Sequence, residues 1–305
     1  ETQNEPTDPE SAHNHGTYTT TTLGGAFEGQ LYGPAYEAEF LLAKTEDVGQ
    51  EEPIEEDWYV AGLEWGELLG ADVASSSLGY IDWYTFDDLD GETAVTTIAV
   101  TIAIENGMTV TTAAGNYGEN GIIAPADAFD VITCGAVNVD GEIAGFSSHG
   151  PTADGRIKPD VCAQGVNTYC ANIDGPSSYR TANGTSLSTP LVGGAVAIIL
   201  SARPNWTPYM IREALMMTAD NVDNPDNQYG WGTIDIMAAI DYFSISGDVN
   251  NDAVLDVLDL VLIVNFILGP ELPTEEQLNI ADINNDGILD VIDLVQLVAI
   301  IIGES

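Results

Sequence analysis

The 305-residue chain sets six Lys and Arg against 49 Asp and Glu, a net charge of −43, and a surface that acidic repels nucleic acid and anionic lipid, which excludes both as partners. Apolar residues make up 45% of the sequence, so a folded core is affordable and the acidity belongs to its surface, as expected of a halophilic protein whose carboxylates are screened within about 8 Å by salt. Three cysteines, Cys134, Cys162 and Cys170, cannot complete a disulfide framework; either Cys162 and Cys170 are bridged or all three are small buried thiols. The chain opens on Glu1 without a signal pattern, and no apolar run of membrane-spanning length stands out, so no membrane span is expected, and either a leader has been removed or an N-terminal part lies upstream.

In chain order, residues 1–14 are polar and Pro-containing and read as a loose segment. From 15 to 244, short apolar runs alternate with helical patterns, the mark of an α/β domain with a parallel sheet flanked by helices. "EFLLAKT", "ADVASSSLG", "GMTVTTAAGN" and "DVITCGAV" read as strands. "PIEEDWYVAGLEWGELLG" reads as a helix, with Glu55, Glu56 and Asp57 in its first turn and Gly70 after its end. "ETAVTTIAVTIAIENG" is β-branched but long and closed by Gly107, and alternation with its neighbours makes it a helix. "TPYMIREALMMTAD" starts a helix with Thr207 as cap and Pro208 at its first position. Beyond Phe243 the chain has no Lys or Arg, and residues 247–269 and 281–303 match at 13 of 23 positions with an offset of 34. Residues 245–305 are therefore a second, duplicated domain.

Ser186 stands just ahead of the apolar, Gly- and Ala-rich run that ends at Pro204. At the start of a buried helix, free N–H groups and the positive dipole end favour a developing negative charge. The string is not G-x-S-x-G, which disfavours an α/β-hydrolase elbow.

"HGT" at 15–17, "AAGN" at 113–116 and "NGTSLSTP" around Ser186 resemble the signature blocks of subtilisin-like serine peptidases, in that family's order. "SLG" at 77–79 and "FSSHGPTADGRIKPDV" match further family segments, so the resemblance covers roughly residues 13–240. It implies a subtilisin-like fold and a secreted endopeptidase acting on protein or peptide substrates. His15 would be the general base, Ser186 the nucleophile that forms an acyl-enzyme, and Asn116 an oxyanion donor with the N–H of Ser186. Ser77, Leu78, Gly79, Ala113, Ala114 and Gly115 would wall the substrate pocket, and Ala124-Pro125 falls where the family can hold a cis proline. Tyr18 departs from the histidine common after the family's His-Gly-Thr, and Thr19 to Thr22 replace small helix residues at about 0.5 kcal/mol each relative to alanine. The triad acid is not found: the family places it about 30 residues before the histidine, and only Asp8 precedes His15, in a Pro-flanked stretch with no strand before it. The expectation is a chain lacking the N-terminal part of its peptidase domain, inactive or nearly so. A non-catalytic, calcium-dependent binding or scaffold protein with a degenerate peptidase domain is the competing reading.

In the repeats, oxygen side chains recur at loop positions 1, 3, 5, 9 and 12: Asp248, Asn250, Asp252, Asp256 and Asp259, then Asp282, Asn284, Asp286, Asp290 and Asp293. With the carbonyls of Val254 and Ile288 at position 7, this spacing is that of an EF-hand calcium loop. Aspartate at position 12 and a single helix after each loop resemble dockerin repeats, implying a small all-α domain holding two calcium ions. Gly287 suits the sharp turn at position 6 and Ala253 does not, so the first site is expected to be the weaker. Val257, Leu258, Val291 and Ile292 stand where dockerins usually place polar partner-contacting residues, which leaves a cohesin-like partner, a cell-surface attachment and a stabilising role all open. The setting implied by both resemblances is extracellular or at the cell surface.

Overall fold

The computed structural model describes residues 11–303 apart from 48, 50, 244, 253, 271 and 285. They form two compact units, one from residues up to 202 with 207–239, the other from 203–206 with 240–305. Asp8 and Ala253, and with them the questions of the loose N-terminal segment and the first position-6 turn, lie outside the described residues.

In the first unit, α1 (Ser11–Gly24) precedes the antiparallel pair β1 (Ala26–Phe27) and β2 (Leu31–Tyr32). Then come α2 (Ile54–Leu68), β3 (Val73–Ser76), α3 (Val95–Glu105), β4 (Thr109–Ala113), β5 (Ile132–Val137) and β6 (Val161–Gln164). The antiparallel pair β7 (Thr168–Ala171) and β8 (Tyr179–Ala182) leads into α4 (Thr185–Ala202), followed by α5 (Pro208–Met217) and α6 (Ile236–Asp241). Strands β3, β4, β5 and β6 form a parallel sheet in chain order, with Val73 beside Thr109, Thr111 beside Ile132 and Cys134 beside Val161. Side chains alternate across its faces. Ser75 and Thr111 lie under α4, where a Cβ on Gly193 would come within 3.0 Å of Ser75 Cβ and 3.2 Å of Thr111 Oγ1. Ala74 and Val110, one residue earlier, pack with Tyr59 of α2 and Val100, Ala103 and Ile104 of α3. Helices thus cover both faces, as an all-parallel sheet requires.

The helix reading of 92–107 holds, because α3 buries Val100 and Ile104 one turn apart. Two expectations are corrected. Residues 11–14 begin α1 instead of belonging to a loose segment. "EFLLAKT" is not a strand: residues 39–47 carry no regular structure, and Phe40, Leu41 and Leu42 are exposed. A strand needs a neighbour to take its backbone hydrogen bonds, and among the described residues none pairs with this segment. One more point was missed: α4 is 18 residues long and apolar enough to cross a bilayer by length and composition. It is instead a core helix, with Leu187, Val192, Ala195, Val196 and Ile199 buried.

The threonines of α1 bond backwards along their own helix, Thr17 to the carbonyl of His13 and Thr21 to that of Thr17, each at 2.7 Å. Thr21 Oγ1 also accepts the N–H of Ala171 in β7 at 3.1 Å, and Tyr18 accepts from Arg180 of β8 at 2.8 Å. Tertiary contacts of this kind offset the poor helix propensity. The three cysteines are free and buried, so Cys162 and Cys170 are not bridged. Of the six cations only Arg180 is exposed; Lys158 and Arg203 are buried and Lys44, Arg156 and Arg212 half-buried.

The second unit contains α7 (Val257–Leu268), α8 (Glu275–Ala281) and α9 (Val291–Ile301). Its core is Val249, Ile263, Ala281 and Leu297. Asp256 and Asp290 cap α7 and α9, each with its side chain accepting the N–H two residues on at 2.7 Å.

Candidate active site

Ser186 lies in the first turn of α4. Proline four residues on, at 190, has no N–H to give the Ser186 carbonyl, and the Ser77 hydroxyl, just past β3, supplies that donor at 2.9 Å. In return Ser186 Oγ donates to the Ser77 carbonyl at 3.4 Å. Ser77 therefore anchors Ser186 as well as bordering the groove beside it, a role that sequence reading missed although the proline was in view.

Asn116 follows the end of β4. Its Oδ1 accepts the Thr185 N–H at 2.9 Å and the Thr185 hydroxyl at 3.2 Å, which assigns the amide orientation and turns Nδ2 away as a donor. Thr185, fully buried, also bonds the Gly115 carbonyl at 3.1 Å and so ties the start of α4 to the end of β4. A Cβ on Gly184 would lie 3.6 Å from Ser186 N and 3.8 Å from Asn116 Nδ2; the glycine leaves open the space that both donors border. Gly115 has φ 110, and its missing Cβ would fall 2.8 Å from the Ser148 hydroxyl.

Ser186, Asn116, Ser77, Leu78, Gly79, Ala113 and Gly115 line one groove of about 470 Å³. Ala114 does not: it is fully buried and packs with Leu89, Ile122 and Ala124. Glu46, Glu51 and Tyr117, which no sequence signal singled out, do line it. Ala124-Pro125 is cis, as are Gly150-Pro151 and Lys158-Pro159.

His15 sits on α1, which packs along α4. Its side chain keeps an exposed edge, yet surrounding protein displaces enough water to lower its pKa below 6.5, so it is a neutral imidazole at pH 7. Among the described residues it makes no hydrogen bond, to Ser186 or to a carboxylate.

In the second unit, Asp259 and Asp293 are fully buried. Asp259 Oδ1 accepts the N–H of Val249 at 2.9 Å, and its Oδ2 accepts that of Asp256 at 3.0 Å. Asp293 repeats this with Ile283 at 3.0 Å and Asp290 at 2.9 Å. Each position-12 carboxylate folds its loop back on the helix start, and Gly287 takes φ 82 at position 6. The side chains recurring along these loops are carboxylates and amides, oxygen donors that suit a hard cation such as calcium.

A serine at the head of a core helix, beside an amide donor at the neighbouring strand end, is an arrangement suited to serine hydrolase chemistry on a parallel α/β sheet. The chain belongs to the subtilase family, which it matches over residues 1–232, and it carries a dockerin type I domain over residues 246–301. It is 37% identical over 186 residues to subtilisin E of Bacillus subtilis (strain 168), which covers 60% of this chain and 44% of that protein. With the serine protease AprX of the same organism it shares 32% over 263 residues, 76% of this chain and 58% of that one. It thus spans about half the length of the curated relatives it matches. Among solved structures, that of the patellamide maturation protease PatA is similar at 25% identity and a TM-score of 0.63, over 77% of this chain and 87% of that chain. The first unit is a subtilase-like serine peptidase domain, and dockerin type I domains as a class bind calcium.

Proposed function

We propose that residues 15–244 act as a secreted endopeptidase domain hydrolysing peptide bonds through an acyl-enzyme on Ser186. The observation that carries this is the convergence of Ser186, its N–H and the Asn116 amide on one groove. His15 takes the hydroxyl proton as Ser186 Oγ bonds to the scissile carbonyl carbon, and the resulting oxyanion accepts from Asn116 Nδ2 and the Ser186 N–H. The imidazolium then returns the proton to the leaving amine, and water, deprotonated by the same base, releases the acyl group. With no carboxylate bonded to His15 among the described residues, turnover by this chain alone is expected to be slow; in a subtilisin, loss of the orienting aspartate costs about 3 × 10⁴ in kcat.

A fluorophosphonate probe tests the reading, since it needs only the nucleophile and its surroundings. Label is expected on Ser186 and none on the Ser186→Ala variant. The labelling rate is expected to climb with pH through a midpoint below 6.5, as the depressed pKa of His15 requires. Failure of the probe to label Ser186 in the wild-type chain would count against the peptidase and return the non-catalytic reading.

Residues 245–305 are proposed to bind two calcium ions, one per repeat, through Asp248, Asn250, Asp252, Val254, Asp256 and Asp259, and through Asp282, Asn284, Asp286, Ile288, Asp290 and Asp293. A cohesin-like or cell-surface protein is the proposed partner, at an extracellular or cell-surface site whose salt would screen the acidic surface. Chelating calcium is expected to lower the melting temperature of this unit, by the loss of about 4 kcal/mol where the ion stood at a thousand times its Kd. Calorimetry is expected to resolve two unequal sites, the second tighter; equal affinities would refute that ranking.

A further inference from the structure

The groove that holds Ser186 and Asn116 also carries Glu46 and Glu51 on its wall. Glu46 is held by its side chain, while Glu51 is exposed and placed by its backbone. Glu46 accepts the Tyr80 hydroxyl at 2.6 Å, and Tyr80, only 1% exposed, directly follows the wall residue Gly79. Behind them Glu55, fully buried, accepts the N–H of Asp47 at 2.8 Å and of Glu52 at 3.0 Å; it clamps the chain just after Glu46 and just after Glu51. Carboxylate oxygens of Glu46, Glu51 and Glu55 come within 4.8 Å of one another. No Lys or Arg pairs with Glu46 or Glu51 among the described residues. Burial first, then repulsion from Glu55 and Glu51, pushes the Glu46 pKa up to about 7. A cation entering the groove would relieve that repulsion, whereas the rest of the wall, polar or apolar, offers nothing charged.

We propose that Glu46 and Glu51 make this groove select peptides that carry a lysine or arginine side chain close to the bond presented to Ser186. The inference rests on the groove being the substrate site. It is specific to the peptide's charge, and the groups facing Glu46 are Glu51, Glu55, Tyr59 and Tyr80. Selection therefore sharpens as pH rises past about 7 and Glu46 ionises.

The test uses the full chain with Ser186→Ala in saturating calcium, and fluorescent peptides identical except for one Arg, Gln or Glu, with Kd read by anisotropy. The Arg peptide is expected to bind about tenfold or more tighter than the Glu peptide. Glu46→Gln with Glu51→Gln is expected to abolish the difference. Glu105→Gln with Asp140→Asn, an equal charge change at exposed positions outside the groove, is expected to preserve it. Equal affinities, or a preference lost in both double variants, would overturn the proposal. So would a preference seen only after calcium is chelated, which would assign the carboxylates to a metal. A Ser186 labelled by fluorophosphonate in the wild-type chain with equal peptide affinities sinks the selectivity alone. An unlabelled Ser186 with a clear Arg preference sinks the peptidase reading alone.

Discussion

Replacing Asn116 by alanine is expected to slow nucleophilic attack by Ser186 about 10²- to 10³-fold, the cost of one oxyanion donor in a subtilisin. The reason is the division of labour within the amide: Oδ1 is occupied by the N–H and hydroxyl of Thr185, so Nδ2 is the half left to meet developing charge. Alanine removes both halves, and part of its effect will come from Thr185 losing an acceptor. Asn116→Asp separates the two, because it keeps the acceptor for Thr185, removes the donor and adds a negative charge beside the oxyanion. Both variants are expected to react slowly, the aspartate variant at least as slowly as alanine, measured as the rate of fluorophosphonate labelling. An Asn116→Asp protein that labels at the wild-type rate would show that the donor is not used.

The second large effect is expected in stability. Asp160 is fully buried and accepts from Lys158 Nζ at 2.7 Å, from the Thr133 N–H at 2.8 Å and from Arg212. Lys158, 1% exposed, also donates to the Val131 carbonyl at 3.1 Å, and burial, opposed by Asp160, pulls its pKa down to about 8. Burial alone would raise the Asp160 pKa, and the charges of Arg212 and Lys158 outweigh it, holding the group below its usual value. Asp160→Asn is nearly isosteric but leaves buried Lys158 without its anion and Arg212 with only the longer 4.0 Å pair to Asp130. A loss of about 3–5 kcal/mol is expected, the usual cost of breaking a buried pair, read as a lower urea midpoint for the first unit at unchanged slope. A loss under about 1 kcal/mol would mean the pair is solvated, as exposed pairs are. The pH dependence has a definite sign: the folded pKa of Asp160 is depressed, so the unfolded chain binds its proton first. This contribution is complete above the unfolded value of about 3.9 and is lost as pH falls through the folded one. The variant should lack that acid-side fall.

Much of this was legible in the sequence. The strands from β3 to β5 follow from apolar runs bounded by turns, and α5 from Thr207 and Pro208, whose hydroxyl cap at Met210 is formed. The position of Ser186 at a helix start could be read because a serine before a long apolar run is a local fact; its role as nucleophile rests on the resemblance of the block around it. Other features depend on what a residue meets across the fold. "EFLLAKT" has strand composition, but composition does not supply a pairing partner. Glu55 and Glu56 read as acids suiting a helix dipole, yet both are buried. Glu55 holds the loop before its own helix, and Glu56 takes the Trp83 indole N–H at 2.7 Å and the Tyr84 hydroxyl at 2.8 Å. Ala114 matched the pocket block by adjacency alone, and strand alternation turned it inward.

The placement of the six cations bears on the fate of the protein in its own company. With Arg180 the one exposed cation, and that one over the ring of Tyr18, a groove selecting basic residues as proposed would find almost nothing to grip on a folded copy of the same chain. Two such molecules also repel each other strongly at low ionic strength. Under the proposed function, self-digestion would be held back twice, by the lack of a preferred cleavage point and by the reluctance of copies to meet, and added salt would lift only the second restraint.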